Sequence, residues 1–200
     1  MIKPTWVIFD VGGVLFDYMQ AFEAIQDYLG VDGNYVKGII DSHIGNEERG
    51  SITIESVFAA ILSPIDKVPE LERLITMWYD RKYWHEDTFK LMQELKNAGY
   101  HIAIMTNNWG NMSDRLRAMK GVEITEKIYE SAVVGKRKPD LEFYDYIQQD
   151  LQVESSKLLL IDDLKANCEG AELAGWQSFI YDMGTDRGVI ANDKLRTILL

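Results

Sequence analysis

Trp6-Val7-Ile8-Phe9-Asp10-Val11-Gly12-Gly13-Val14-Leu15 is the stretch that decides the fold. Four apolar residues with no polar one among them read as a short strand buried on both faces, cut off at Asp10. The two glycines let the backbone turn sharply and present N–H groups to a ligand. Four further apolar runs follow, at His101–Met105, Ile128–Ser131, Leu158–Ile161 and Ser178–Tyr181. Helical periodicity separates the later ones. Phe89, Met92 and Leu95 share a face between Thr88 and Ala98, with Gly99 as the stop. Phe143, Tyr144, Ile147 and Leu151 do so between Leu141 and Leu151, and a short helix from Asn167 to Ala174 would end at Gly175. Strand–helix alternation of this kind predicts an α/β fold: a doubly wound, mostly parallel sheet covered on both faces, with the first strand central.

From about Tyr18 to Tyr83 the alternation breaks, and only helical patterns remain. Phe22, Ile25 and Leu29 line a first helix closed by Gly30, and Val36, Ile39 and Ile40 a second ending near Gly45. Val57, Phe58, Ile61 and Leu62 line a third, stopped before Pro64, and Leu71, Leu74, Ile75 and Trp78 a fourth. A strand precedes this region, so it reads as an all-helical insert (18–83) in a core made of 1–17 and 84–200, hinged near Asp17 and Trp84.

Composition narrows the function. At 200 residues and 46% hydrophobic the chain can bury a core. A net charge of −11 repels phosphate backbones, and no basic patch offsets it, so no nucleic-acid partner is expected. No apolar run approaches a membrane span, and no signal-peptide pattern opens the chain, so a cytoplasmic location is expected. The sequon at Asn111-Met112-Ser113 is discounted for the same reason, and a single cysteine, Cys168, excludes an internal disulfide.

Ligands of open α/β sheets bind at the carboxyl ends of strands. Those ends hold Asp10, then Thr106-Asn107-Asn108, then Asp162-Asp163, with Lys136-Arg137-Lys138-Pro139 in the loop after the third strand. Three carboxylates at one edge repel one another unless a cation joins them. A site of few hard oxygen ligands suits Mg²⁺, and the lysine and threonine add donors for anionic oxygens. The set reads as a metal-assisted phosphoryl-transfer site. His43, His85 and His101 are too scattered for a zinc site, and no nucleophile elbow or Walker-type loop is present. Trp109 falls near the mouth of such a site, as substrate wall or as packing.

Four stretches together resemble the haloacid dehalogenase superfamily of hydrolases. They are Phe9-Asp10-Val11-Gly12-Gly13-Val14-Leu15, Met105-Thr106-Asn107, Gly135-Lys136-Arg137-Lys138-Pro139-Asp140, and Ile161-Asp162-Asp163 with Asn167, Gly170, Ala171 and Gly175 after it. The resemblance implies a Rossmann-like core, and makes the helical insert the cap that many members carry. It implies a Mg²⁺-dependent phosphatase with Asp10 as nucleophile, forming an aspartyl-phosphate. Thr106, with Asn107 beside it, would hold the phosphoryl group, and Lys138 would bridge that group and the acidic cluster. Asp10, the Gly12 carbonyl and Asp163 would bind the metal, with Asp162 beside them or acting through water.

One departure stands out. Most phosphatases of the family carry a second aspartate two residues after the nucleophile, as acid for the leaving oxygen, and here that residue is Gly12. Three readings compete: a phosphatase using water or another acid, with Asp17 nearest in sequence; a dehalogenase-type hydrolase; or a catalytically reduced binding protein. A glycine in this place also resembles the bacterial glucose-1-phosphate phosphatases, whose leaving group needs less acid catalysis. The expectation is hydrolysis of a small phosphorylated metabolite, with a sugar phosphate as one candidate; oligomeric state is left open.

Overall fold

The computed structural model describes residues 3–43, 52–110, 112–119 and 121–200, and leaves the side chains of Asp41, His43 and Arg81 undescribed. The expected helix end near Gly45 and the Asn111 sequon therefore lie outside the described residues. Among the described residues five strands form one parallel sheet: β1 (Trp6–Phe9), β2 (His101–Thr106), β3 (Lys127–Glu130), β4 (Leu158–Asp162) and β5 (Gln177–Ile180). Their order is β3-β2-β1-β4-β5, with β1 central as its uninterrupted apolar run requires. Phe9 lies level with Ile104 on one side and Ile161 on the other, so Asp10, Met105 and Asp162 follow at adjacent strand ends.

Alternate residues face opposite layers. Val7, Phe9, Ile102, Ile104, Leu159 and Ile161 pack in one cluster, while Ile8, Ala103, Met105, Leu158 and Leu160 pack in another. Between β1 and β2 come α1 (Tyr18–Leu29), α2 (Gly33–His43), α3 (Ile54–Leu62), α4 (Leu71–Trp78) and α5 (Glu86–Asn97). Of these, α1–α4 pack on one another. Helix α1 starts at Asp17, whose Oδ1 accepts from the Gln20 N–H at 2.9 Å, and stops at Gly30 with φ +67°. Their apolar faces join the cluster under α5 without a break, through Phe16, Trp78, Tyr83 and Trp84.

Two connectors tie α1–α4 to the sheet, and they are bonded to each other. Asp17 N–H donates to Tyr83 O and His85 N–H to Leu15 O, both at 2.8 Å, around an antiparallel bridge between Phe16 and Trp84. A further contact runs from Gly110 N–H to Ile52 O at 2.8 Å.

Helices α6 (Ser113–Ala118) and α7 (Ser131–Val134) flank β3, and α8 (Leu141–Leu151) and α9 (Lys165–Leu173) cover the second face. Helix α10 (Val189–Leu199) packs on α5. The sequence reading had no counterpart for α10, although Ala191, Leu195 and Leu199 are buried at i, i+4, i+8 spacing. Two strands sit one residue earlier than their apolar runs. Ser131 opens α7, its hydroxyl accepting from Asn108 N–H, and Tyr181 leaves the ladder to lodge its hydroxyl between Thr88 and Asn192.

Gly170 lets α9 approach the loop after β3. A Cβ there would lie 2.9 Å from both the Pro139 carbonyl oxygen and the Tyr144 hydroxyl. Gly170→Ala is expected to lower stability by about 1–2 kcal/mol, since crowding of about 1–3 kcal/mol outweighs ~1 kcal/mol of helix propensity. Urea denaturation measures it, and an unchanged or raised midpoint would contradict this packing.

Candidate active site

Lys138 is the centre of the site. It is 1% exposed, the largest buried cation among the described residues. Its Nζ lies 2.8 Å from Asp10 Oδ1 and 2.6 Å from Asp162 Oδ2, and donates to Met105 O at 3.1 Å. Three donor directions thus meet the ends of the three adjacent strands β1, β4 and β2. The Asn107 side chain clamps the lysine's own backbone: its Nδ2 donates to Lys138 O and its Oδ1 accepts from Lys138 N–H, both at 2.9 Å. That side chain, expected beside a phosphate, also positions Lys138 and lines the cavity.

A second network holds the loop that carries Asn107. Glu130, with its side chain wholly buried, accepts from Asn108 Nδ2 and Ser113 Oγ at 2.7 Å and from Arg117 Nη2 at 2.9 Å. The sequence reading missed it, because the partners lie 13 to 22 residues away and share no periodicity.

The two adjacent carboxylates have different surroundings. Asp162 is fully buried and satisfied on both oxygens, by Lys138 on Oδ2 and by Leu164 N–H and Asn167 Nδ2, each at 2.9 Å, on Oδ1. Asp163 is half-buried and leans over Gly13, where a Cβ would fall 2.2 Å from Asp163 Oδ2. Gly13 also adopts φ +69°, so both conformation and close approach demand glycine. Carboxylate oxygens of Asp10, Asp162 and Asp163 lie within 4.8 Å of one another. Three carboxylates face one ammonium, a donor set of hard oxygens that a divalent cation fits.

The electrostatics agree. Burial pushes the Asp10 carboxyl up to about 8, helped by Asp162 and Asp163 and opposed by Lys138. Burial, then the Asp162 charge, raises Asp163 to about 6. Lys138 is raised by its two carboxylate partners despite its burial.

Asp17, the nearest alternative acid in sequence, caps α1 and does not line the cavity that opens from Asp10. Tyr18 stands there instead. Its ring would be 3.4 Å from a Cβ on Gly12, and its phenol is raised by burial and then by Asp163 and Asp10. Thr106 also lines the cavity, 4% exposed at the end of β2. Of the basic loop, Arg137 lines the cavity while Lys136 pairs with Glu142 at 3.2 Å. His85 is buried, its Nδ1 3.1 Å from Val14 O, and serves the connector.

Strand-end carboxylates around a buried lysine, facing a cavity, describe an enzyme. Residues 7–181 match the family model for haloacid dehalogenase-like hydrolases, and the chain belongs to that family. A sesquiterpene phosphatase of Aspergillus oryzae is 30% identical over 175 residues, covering 84% of this chain and 85% of its own. A phosphatase of Mycobacterium tuberculosis is 26% identical over 201 residues, covering 94% and 92%. Among solved structures, a family enzyme of Bacteroides thetaiotaomicron in complex with magnesium and inorganic phosphate superposes with TM-score 0.69 at 19% identity. It covers 92% of this chain and 96% of that one, and the likeness is one of fold. No helix among the described residues is long and apolar enough to cross a membrane.

Two outcomes follow from this geometry. Lys138→Met leaves buried carboxylates unpaired and is expected to cost about 3–5 kcal/mol in chemical denaturation; a loss under 1 kcal/mol would remove Lys138 from the centre of the fold. Asp10 and Asp163 hold protons more tightly folded than unfolded. The metal-free fold should therefore lose stability as pH rises from about 4 through 6 to 8. A divalent cation competes with those protons, so its stabilisation should grow over the same range, to ~2.7 kcal/mol at a hundredfold excess over Kd. Thermal unfolding with and without Mg²⁺ at pH 5 and 8 tests this, and a shift independent of pH would refute it.

Proposed function

We propose that the chain is a Mg²⁺-dependent phosphatase that hydrolyses a small phosphorylated metabolite through an aspartyl-phosphate on Asp10. The observation that carries this reading is the lysine held between Asp10 and Asp162 beside the third carboxylate, Asp163. The two phosphatases among its relatives support it.

Asp10, Asp163 and the Gly12 carbonyl would hold the metal, with Asp162 fixing Lys138 from behind. Bound there, Mg²⁺ would neutralise charge on the phosphate oxygens and return Asp10 to its ionised form. The second oxygen of Asp10 attacks phosphorus while the bond to the ester oxygen breaks, and that oxygen takes its proton from water. Lys138 and the Thr106 hydroxyl hold the equatorial oxygens as charge shifts. Water then attacks the phosphorus of the aspartyl-phosphate, releasing inorganic phosphate and restoring the carboxylate. In this reading residues 18–83 form a cap that closes over the substrate and excludes bulk water.

Gly12 favours a second reading, a catalytically reduced phosphate- and metal-binding protein or a dehalogenase-type hydrolase. The cradle that Gly13 makes for Asp163 argues for a metal site, which dehalogenation does not need.

The test is turnover of an aryl phosphate, whose good leaving group needs little acid catalysis. Activity should require Mg²⁺, vanish with chelator and return on its readdition, and fall to background in Asp10→Asn. Activity that persists in Asp10→Asn, or ignores chelator, would overturn the proposal.

A further inference from the structure

The cavity that begins at Asp10 has a lining of two kinds. Its volume is about 460 Å³, room for a phosphate together with an organic group. The charged lining residues, Asp10, Arg137, Lys138 and Asp163, belong to the strand ends or the adjoining loop. Away from them the wall is aromatic, with Phe16, Phe22, Trp78, Trp84 and Trp109 among its residues.

Among the described residues, the amide side chains of the lining are already committed. Asn107 is committed to the Lys138 backbone, Asn108 to Glu130, and Asn167 to Asp162. Of the aromatic lining residues described, Tyr79 and Trp84 have a buried Oη and Nε1 without a hydrogen-bond partner, enough to meet one or two ligand hydroxyls at most. A sugar brings several hydroxyls, and each one desolvated without a partner opposes binding.

The rings also fail to form a flat slot. Phe22 and Trp78 have centroids 4.6 Å apart at 51°, and Trp78 and Trp109 6.2 Å apart at 36°. Phe22 and Trp109 are both half-buried, so apolar surface remains there for a ligand to cover.

We infer that this wall is the subsite for the leaving group, and that the substrate is the phosphate monoester of an aliphatic, apolar alcohol rather than of a sugar. The inference rests on the phosphatase reading and sharpens it. It also sets aside the sugar phosphate that the resemblance had suggested.

The experiment is kcat/KM for n-alkyl phosphates from ethyl to octyl, with Mg²⁺ and below micelle-forming concentrations. Intrinsic ester reactivity barely changes along that series, so the slope reports burial in the subsite. About a fourfold gain per methylene is expected, with a sugar 1-phosphate and 6-phosphate both falling below the hexyl ester. Trp109→Ser should reduce the octyl-to-ethyl ratio at least tenfold. A flat series, or preference for a sugar phosphate, alongside normal aryl phosphate turnover would overturn the inference and leave the phosphatase reading standing.

Absence of turnover with every ester would instead defeat the phosphatase reading. The subsite is then decided by intrinsic fluorescence, since three tryptophans line it. Octylphosphonate should give a saturable change at concentrations where ethylphosphonate gives none; equal responses would overturn the inference.

Discussion

The contact between the Lys138 ammonium and the carboxylates of Asp10 and Asp162 is the constraint on which the rest depends. An ion buried to 1% exposure is tolerable only with all its donors met, and here they are met by β1, β4 and the Met105 carbonyl of β2. Those strands must be adjacent and must end level with one another. The order β2-β1-β4 and the shared register at Phe9, Ile104 and Ile161 satisfy both conditions. Gly170 then lets α9 close on the loop that delivers the lysine, and the Glu130 network fixes the loop that clamps it.

The same pair explains how an acidic protein with a net charge of −11 can be suited to an anionic ligand. Overall charge acts at long range and is screened over about 10 Å at ordinary ionic strength. Inside the cavity the nearest charges decide, and there Lys138 and Arg137 stand beside a carboxylate cluster that a cation fits. The surface charge and the site charge are therefore separate properties.

Much of this was legible in the residues. The apolar run from Trp6 to Phe9 set the central strand, and the strand-end residues Asp10, Thr106, Lys138, Asp162 and Asp163 do converge. Period and strand ends are local signals. What escaped reading was made by long-range contact. Asp17 was read as the nearest spare acid, and its side chain caps α1 away from the cavity lining. Asn107 was read as a ligand residue, and its pairing with a backbone 31 residues away was not legible. The aromatic wall joins Trp109, already expected near the mouth, to Phe22 and Trp78, which look like ordinary core positions until the fold brings them together. Helix α10 was readable from Ala191, Leu195 and Leu199, and was missed for want of a capping signal beyond Gly188.

The paired connectors at Phe16 and Trp84 have a mechanical consequence. Because Leu15, Asp17, Tyr83 and His85 are hydrogen-bonded across the pair, the two chain crossings act as a single ribbon. Two independent tethers would let α1–α4 slide or tilt in several directions. A hydrogen-bonded pair resists shear between its two chains, so it would confine any displacement of those helices to bending at the pair. The Gly110–Ile52 hydrogen bond is a tie of a different kind, a single contact away from the pair.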